Sequence, residues 1–125
     1  MLYRLAWIAL LGAAGSLSRY WLDMFIIHWF GSKFPWGILT VNAIGCFLFG
    51  LVVPLAESRQ LVSPETRFLI VTGFLGAFTT FSTFTFHTAE FMRESQWMLA
   101  TANVVSQLAL GLACLFLGLA IGSRI

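Results

Sequence analysis

Residues 73–87 combine hydroxyl and aromatic side chains within a segment that is otherwise apolar, reading GFLGAFTTFSTFTFH. A phenyl ring has a negative face and a positive edge, so ring edges can approach an anion, and neighbouring hydroxyls supply stronger donors. In a straight helix, Phe78, Phe81 and Phe84 would form one stripe, with Ser82 and Thr83 beside it. The pattern suits a small anion that must lose water without binding tightly. Phenylalanines packed inside an unbroken helix are the simpler alternative, and the pattern alone leaves both open.

The run at residues 76–80, GAFTT, has low helix propensity at several positions. A helix break here would free backbone carbonyl groups, which are tolerated at membrane depth only when they are buried in protein or line a cavity. Carbonyl oxygens are good ligands for a hard cation. A small cation site could therefore form at such a break without any acidic side chain.

Further polar side chains fall inside apolar segments. Asn42 lies in the second of these segments, and Asn103 and Gln107 share a face of the fourth because they are four residues apart. Such groups need partners or a water-filled path, so the amides either hold helices together or line an ion pathway. Arg19 and Asp23 are also four apart, which permits an ion pair, whereas an unpaired arginine would attract anions.

The composition indicates which elements must position these groups. The chain has 125 residues, of which 59% are hydrophobic and only 10% charged, against about 25% charged in soluble domains. A membrane-spanning helix needs about 20 mostly apolar residues. We therefore predict a single all-α membrane domain with four transmembrane helices at residues 2–27, 36–55, 66–91 and 98–121. The sequence Ser63-Pro64-Glu65 is typical of a helix start.

Several function classes are disfavoured. The net charge of +2 without a basic run argues against nucleic-acid binding. An enzyme is not expected, because the sequence has no Ser-His-Asp set, HExxH or Gly-rich phosphate loop. The rival function is a small multidrug-type four-helix cation exporter, which would need an acidic residue in the first span, where this chain has Arg19.

Assembly and orientation follow from size and charge. Four helices could hardly enclose a pore and still shield polar residues from lipid, so a homo-oligomer is expected. Gly118 and Gly122 have the spacing for close helix contact, either within one chain or between chains. The positive charges show a weak bias, with Arg4, Arg59, Arg67 and Arg124 on one side and Lys33 and Arg93 on the other. That bias permits insertion in both orientations.

The string GFLGAFTTFSTFTFH, with WGILTVNAIGCFLFG before it and GSLSRY in the first segment, closely resembles the Fluc (CrcB) fluoride-channel family over nearly the whole chain. The resemblance implies a fluoride-selective passive channel of the inner (plasma) membrane that exports cytoplasmic fluoride. It also implies an antiparallel, dual-topology homodimer with two pores, a third helix broken near its middle, and a central structural sodium ion.

The resemblance also assigns residues. It places Phe81 and Phe84 in the pore walls, with Ser82 and Thr83 as the motif hydroxyls, and it has Asn42 facing the ion. The sodium ligands would be the backbone carbonyls of Gly76 and Thr79. At the vestibules it suggests Arg19, Asn103 and Gln107.

The chain departs from the family pattern at His87, where many members have an acidic residue. A histidine there would make conduction sensitive to pH, because its ordinary pKa is about 6.5.

Overall fold

The computed structural model describes residues 1–57 and 60–125. Every regular element in these ranges is helical. The elements are α1 (Leu2–Phe30), α2 (Trp36–Glu57), α3 (Pro64–Phe68), a π-helical segment (Leu69–Leu75), α4 (Gly76–Phe78), α5 (Phe81–Arg93) and α6 (Trp97–Gly122). The pieces from Pro64 to Arg93 follow one another along a single span, so the chain forms four helical units, as predicted. The charge-bias prediction that involves Arg59 lies outside the described residues.

Within the described residues, three of these units are long and apolar enough to cross a membrane: Trp36–Glu57, Pro64–Arg93 and Trp97–Gly122. Helix α1 has 29 residues, which is sufficient length, but it does not meet the same standard of apolar composition. Arg4, Arg19 and Asp23 all lie on it and lower its hydropathy. The apolar character of the other three units confirms that this is a membrane protein.

The third unit begins as its sequence predicts. Ser63 is the N-cap of α3, and its side-chain oxygen accepts from the Thr66 N–H at 3.1 Å. Pro64 occupies the first turn, where the N–H that it lacks would have had no helical partner.

The third helix is broken near its middle, which confirms what the resemblance implies. Thr79 and Thr80 are both extended, with φ/ψ of −80°/157° and −150°/113°. β-Branched side chains favour extended backbone, and Thr80 also serves as the N-cap of α5. The break therefore ends α4 and starts α5 with a change of direction between them.

Helices α2 and α6 pack closely because glycines line their contact. A Cβ atom at Gly118 would collide with the backbone of Phe47, and one at Gly50 with the backbone of Leu115. Gly122 faces the Leu51 carbonyl in the same way. The small residues of α6 thus serve packing within one chain, which decides between the two roles that their spacing allowed.

Helix α1 also packs against the third unit. A Cβ at Gly15 would meet the backbone of Phe74 and Phe78, so the two helices touch without an intervening side chain. The break is thereby held between α1 and α2.

Candidate functional site

A groove of about 510 Å³ opens beside the break in the third helix. It is lined mostly by apolar side chains, with a few polar groups from α2, the break and α6. Of the residues singled out in the sequence, the groove brings together Asn42, Gly76, Thr79, Phe81, Phe84 and Gln107. Ser82, Thr83, Arg19 and Asn103 are not among its lining residues.

Two phenylalanine rings lie along this groove in the first turn of α5. The ring centroids of Phe81 and Phe84 are 5.5 Å apart, and the planes are inclined at 63°, an edge-to-face arrangement. Phe84 is 9% exposed, whereas Phe81 is 75% exposed. A single chain therefore leaves one ring of the pair almost uncovered on the open side of the groove.

Asn42 binds the backbone at the break. Its Oδ1 accepts from the Thr80 N–H at 2.9 Å, and its Nδ2 donates to the Thr80 carbonyl at 3.1 Å. Nδ2 also donates to Gln107 Oε1 at 3.1 Å. These bonds fix the orientation of the amide, because the reverse would set oxygen against the Thr80 carbonyl. Both hydrogens of Nδ2 are thus engaged by protein acceptors.

Thr80 is a residue at the centre of the site that the sequence interpretation missed. Its Oγ1 accepts from the Thr83 N–H at 3.2 Å and lies 3.0 Å from Thr83 Oγ1 and 3.2 Å from Ser82 Oγ. It is 7% exposed. The sequence feature that could have identified Thr80 is a threonine just before a helical stretch, a position where N-cap residues are common.

Ser82 and Thr83 therefore act first as partners of Thr80. Ser82 is exposed and Thr83 is half-buried. Their hydroxyls cluster with that of Thr80 at the start of α5, next to the groove rather than along its wall. The hydroxyl groups of the motif thus cap the helix that carries the two rings.

The break changes the hydrogen bonding of the Gly76 carbonyl. In a continuous helix this oxygen would accept from the N–H of Thr80, four residues later. That N–H donates to Asn42 instead. The N–H and Oγ1 of Thr79 both donate to the Leu75 carbonyl, at 3.1 and 2.9 Å, and not to the Gly76 carbonyl. The Gly76 carbonyl is left without its helical donor, beside the extended Thr79.

Gln107 contributes a free donor to the same groove. Its Oε1 faces Asn42 Nδ2, because a nitrogen there would have no lone pair to accept the bond. Its Nε2 is buried and has no hydrogen-bond partner among the described residues. An unpartnered amide N–H on a residue that lines an apolar groove is a suitable hydrogen-bond donor for a small anion.

Asn103 lies elsewhere, between α5 and α6. It is 0% exposed, and its Nδ2 donates to Thr88 Oγ1 at 2.9 Å and to the Phe84 carbonyl at 3.4 Å. Thr88 in turn donates to the Phe84 carbonyl at 2.9 Å. This placement joins two helices and gives no support to the vestibule role predicted for Asn103.

Among the described residues, side-chain ion pairs join Arg4 to Glu65 and Arg67 to Glu57. The permitted pair between Arg19 and Asp23 does not form in this structure. Arg19 also lines neither cavity, so its predicted vestibule role stays a prediction.

His87 faces a second, smaller cavity of about 230 Å³ near the ends of α1 and α5. Asp23, Glu90 and Glu94 line the same cavity. The histidine therefore stands among carboxylates rather than beside the two phenylalanine rings, and the pH sensitivity expected from it stays a prediction.

Known proteins resemble this chain over its whole length. The family described as "CrcB-like protein, Camphor Resistance (CrcB)" matches residues 6–119. "Fluoride-specific ion channel FluC" of Nitrosococcus oceani is 52% identical over 125 residues, and the protein of that name from Solidesulfovibrio magneticus is 48% identical, both over the full length of each chain. The one from Maridesulfovibrio salexigens is 45% identical over 99% of this chain and 98% of its own. The predicted resemblance is confirmed, and the chain belongs to the CrcB-like family, which is a family of ion channels and not of enzymes.

Proposed function

We propose that this protein is a passive, fluoride-selective channel that lets fluoride leave the cytoplasm. The observation that carries the proposal is the edge-to-face pair of Phe81 and Phe84 along an apolar groove that also holds a free amide donor. The names of its relatives, which cover its whole length, point to the same ion. The rival cation exporter has less support, because no carboxylate lines this groove.

The proposed mechanism is gradual dehydration. An apolar groove disfavours a fully hydrated ion, and the positive edges of the two rings replace part of its water. The Nε2 of Gln107 supplies a hydrogen bond where Asn42 has its own hydrogens engaged. No fixed positive charge lies among the groove residues, so the ion is not trapped.

Two copies of the chain would complete the pathway. The groove is open along one side, and the almost uncovered ring of Phe81 lies there. Leu108 of α6, which also lines the groove, is 60% exposed. A second, antiparallel subunit covering this side would close two equivalent pores, one for each groove. The weak charge bias of the chain is compatible with insertion of both orientations into the inner membrane.

A structural sodium ion fits the break. The Gly76 carbonyl lacks its helical donor, Thr79 is extended, and Gly76 is exposed on the open side. We expect the carbonyl oxygens of these two residues to hold the ion, which would neutralise backbone dipoles where two subunits cross. No step of fluoride transfer passes through this ion.

The test is fluoride efflux from liposomes, measured with a fluoride electrode and with chloride as the control anion. Wild type should release fluoride and not chloride. Phe81→Ile and Phe84→Ile should each abolish efflux while the dimer persists in gel filtration, since isoleucine is apolar but has no ring edge. Phe86→Ile is the matched control, because Phe86 is 57% exposed and does not line the groove. Undiminished efflux through either of the first two variants would contradict the proposed role of the rings.

A further inference from the structure

We infer that Asn42 is a positioning residue for the cation site, which keeps the Gly76 carbonyl available by holding the Thr80 N–H away from it. This inference rests on the proposed sodium site and assigns Asn42 a task other than direct contact with fluoride. The amide binds both the N–H and the carbonyl of Thr80, at 2.9 and 3.1 Å. It therefore replaces one turn of helical hydrogen bonding by a side chain from another helix.

The Gly76 carbonyl and Asn42 Oδ1 compete for one donor, the Thr80 N–H. The Thr80 N–H has two available acceptors: the Gly76 carbonyl, which a continuous helix would use, and Asn42 Oδ1, which it uses here. A buried N–H must be satisfied, and Thr80 is 7% exposed. Without the Asn42 oxygen, the nearest way to satisfy this N–H is to close the helix onto Gly76. That closure would consume the carbonyl lone pair that the proposed cation would bind.

Helix α2 accommodates the break over about one turn. Gly45 lies three residues after Asn42 and so shares its face of α2. A Cβ at Gly45 would collide with the Thr79 methyl group. The missing side chain lets extended Thr79 lie against α2, while Asn42 binds Thr80. Neighbouring positions of α2 thus accommodate the two extended residues of the break.

Asn42 and Gln107 differ in their hydrogen-bond partners. The two amides are hydrogen-bonded to each other at 3.1 Å, and both line the groove. Only Asn42 contacts the backbone of the break, and only Gln107 has an unpartnered N–H. Replacement of each amide by leucine, an apolar side chain of similar size, should therefore have different consequences for the two ions.

The experiment compares Asn42→Leu with Gln107→Leu in the purified, full-length protein. Binding of ²²Na⁺ is measured at equilibrium in detergent, and the sodium-dependent rise in unfolding temperature is measured against N-methylglucamine at equal ionic strength. Loss of the acceptor should weaken sodium binding in Asn42→Leu at least about tenfold, the scale of one hydrogen bond to a buried group. Gln107→Leu should keep wild-type sodium affinity while its fluoride efflux falls.

A second variant guards against misfolding of Asn42→Leu. Asn42→Gln keeps the amide on a side chain one methylene longer, so it can still accept from the Thr80 N–H and donate to the Thr80 carbonyl. Sodium binding should therefore be weakened less than in Asn42→Leu. Sodium binding that is as weak in folded Asn42→Gln as in Asn42→Leu would overturn the inference. Wild-type sodium affinity in Asn42→Leu together with lost efflux would also overturn it and make Asn42 a direct fluoride contact. In that case the proposed channel would stand, whereas a wild type without fluoride efflux or sodium binding would overturn both proposals.

Discussion

Two asparagines buried in the apolar part of this protein have different surroundings. Asn103 is 0% exposed and joins α5 to α6 through Thr88, at 2.9 Å. Asn42 is half-buried beside an open groove and binds the peptide backbone where the third helix is interrupted. The first amide joins two continuous helices, and the second takes the place of helical hydrogen bonds that are missing.

The difference shows how polar groups at membrane depth divide between structure and conduction. The Oδ1 of Asn103 has no partner among the described residues, and Asn103 lines neither the groove nor the smaller cavity near His87. The Nε2 of Gln107 is also buried and unpartnered, but Gln107 lines the groove together with Phe81 and Phe84. An unpaired donor contributes to transport only where an ion can reach it. The surroundings of an amide, more than its presence in the span, decide its role.

The strongest way to disturb the region around Asn42 is to fill the space beside the break. Gly45→Val would place a branched side chain where the Thr79 methyl group lies. We expect a loss of about 1–3 kcal/mol in the free energy of unfolding, the usual cost of overpacking, together with loss of fluoride efflux. Unfolding is followed by circular dichroism in mixed detergent micelles as sodium dodecyl sulfate is added.

The matched control for this change is Gly111→Ala, on the neighbouring α6. Its new Cβ would lie 3.5 Å from Cys46 Sγ, an ordinary contact distance. Stability should stay within about 0.5 kcal/mol of wild type. Equal effects of the two variants would show that the break does not depend on the shape of α2.

Much of this region was accessible from the sequence, and the reasons are local. Low helix propensity in GAFTT permitted an interruption and the family resemblance implied one, and the structure has extended backbone at Thr79 and Thr80. The long apolar runs predicted the helices, because lipid demands continuous hydrophobic segments. The ring pair Phe81 and Phe84 could be identified from its spacing and its resemblance to a known family.

The remainder depends on contacts between distant parts of the chain. Asn42 and Thr80 are 38 residues apart, and no local pattern indicates that one amide binds both backbone groups of the other residue. Because Asn103 and Gln107 are four residues apart, the sequence assigned them to the same helix face. In the structure Asn103 faces α5 and Gln107 lines the groove. These assignments require the rotation of α6 about its axis, which is set by the glycine contacts with α2.

A smaller effect is expected when the cap of α5 is removed but the backbone bonds of the break are kept. Thr80→Val has nearly the same shape as threonine and leaves the N–H and carbonyl that Asn42 binds. It removes the acceptor for the Thr83 N–H, so stability should fall by about 1 kcal/mol, the typical value of an N-cap. The same micelle titration measures it. Loss of sodium binding in this variant would mean that the hydroxyl cluster, and not Asn42, maintains the break.

The region around Asn103 should respond less to substitution, and without loss of transport. Asn103→Leu removes the two hydrogen bonds that Asn103 makes to α5 and also an oxygen that has no partner among the described residues. Such bonds contribute on average about 0.6 kcal/mol in membrane proteins, with a maximum of about 1.7. We therefore expect slightly lower stability and unchanged fluoride efflux per folded dimer. Abolished efflux at wild-type stability would place Asn103 in the ion pathway, as its position in the sequence first indicated.

The smallest effect should come from a hydroxyl that belongs to neither amide network. Thr85 Oγ1 donates only to carbonyls of its own helix, Phe81 at 3.2 Å and Ser82 at 2.9 Å. Because those bonds stay within one turn, Thr85→Val should change the free energy of unfolding by less than about 0.5 kcal/mol and leave efflux intact. A large loss of efflux in this variant would show that motif hydroxyls contact the ion directly. The contrast between Thr80 and Thr85 would then reflect access to fluoride rather than support of the break.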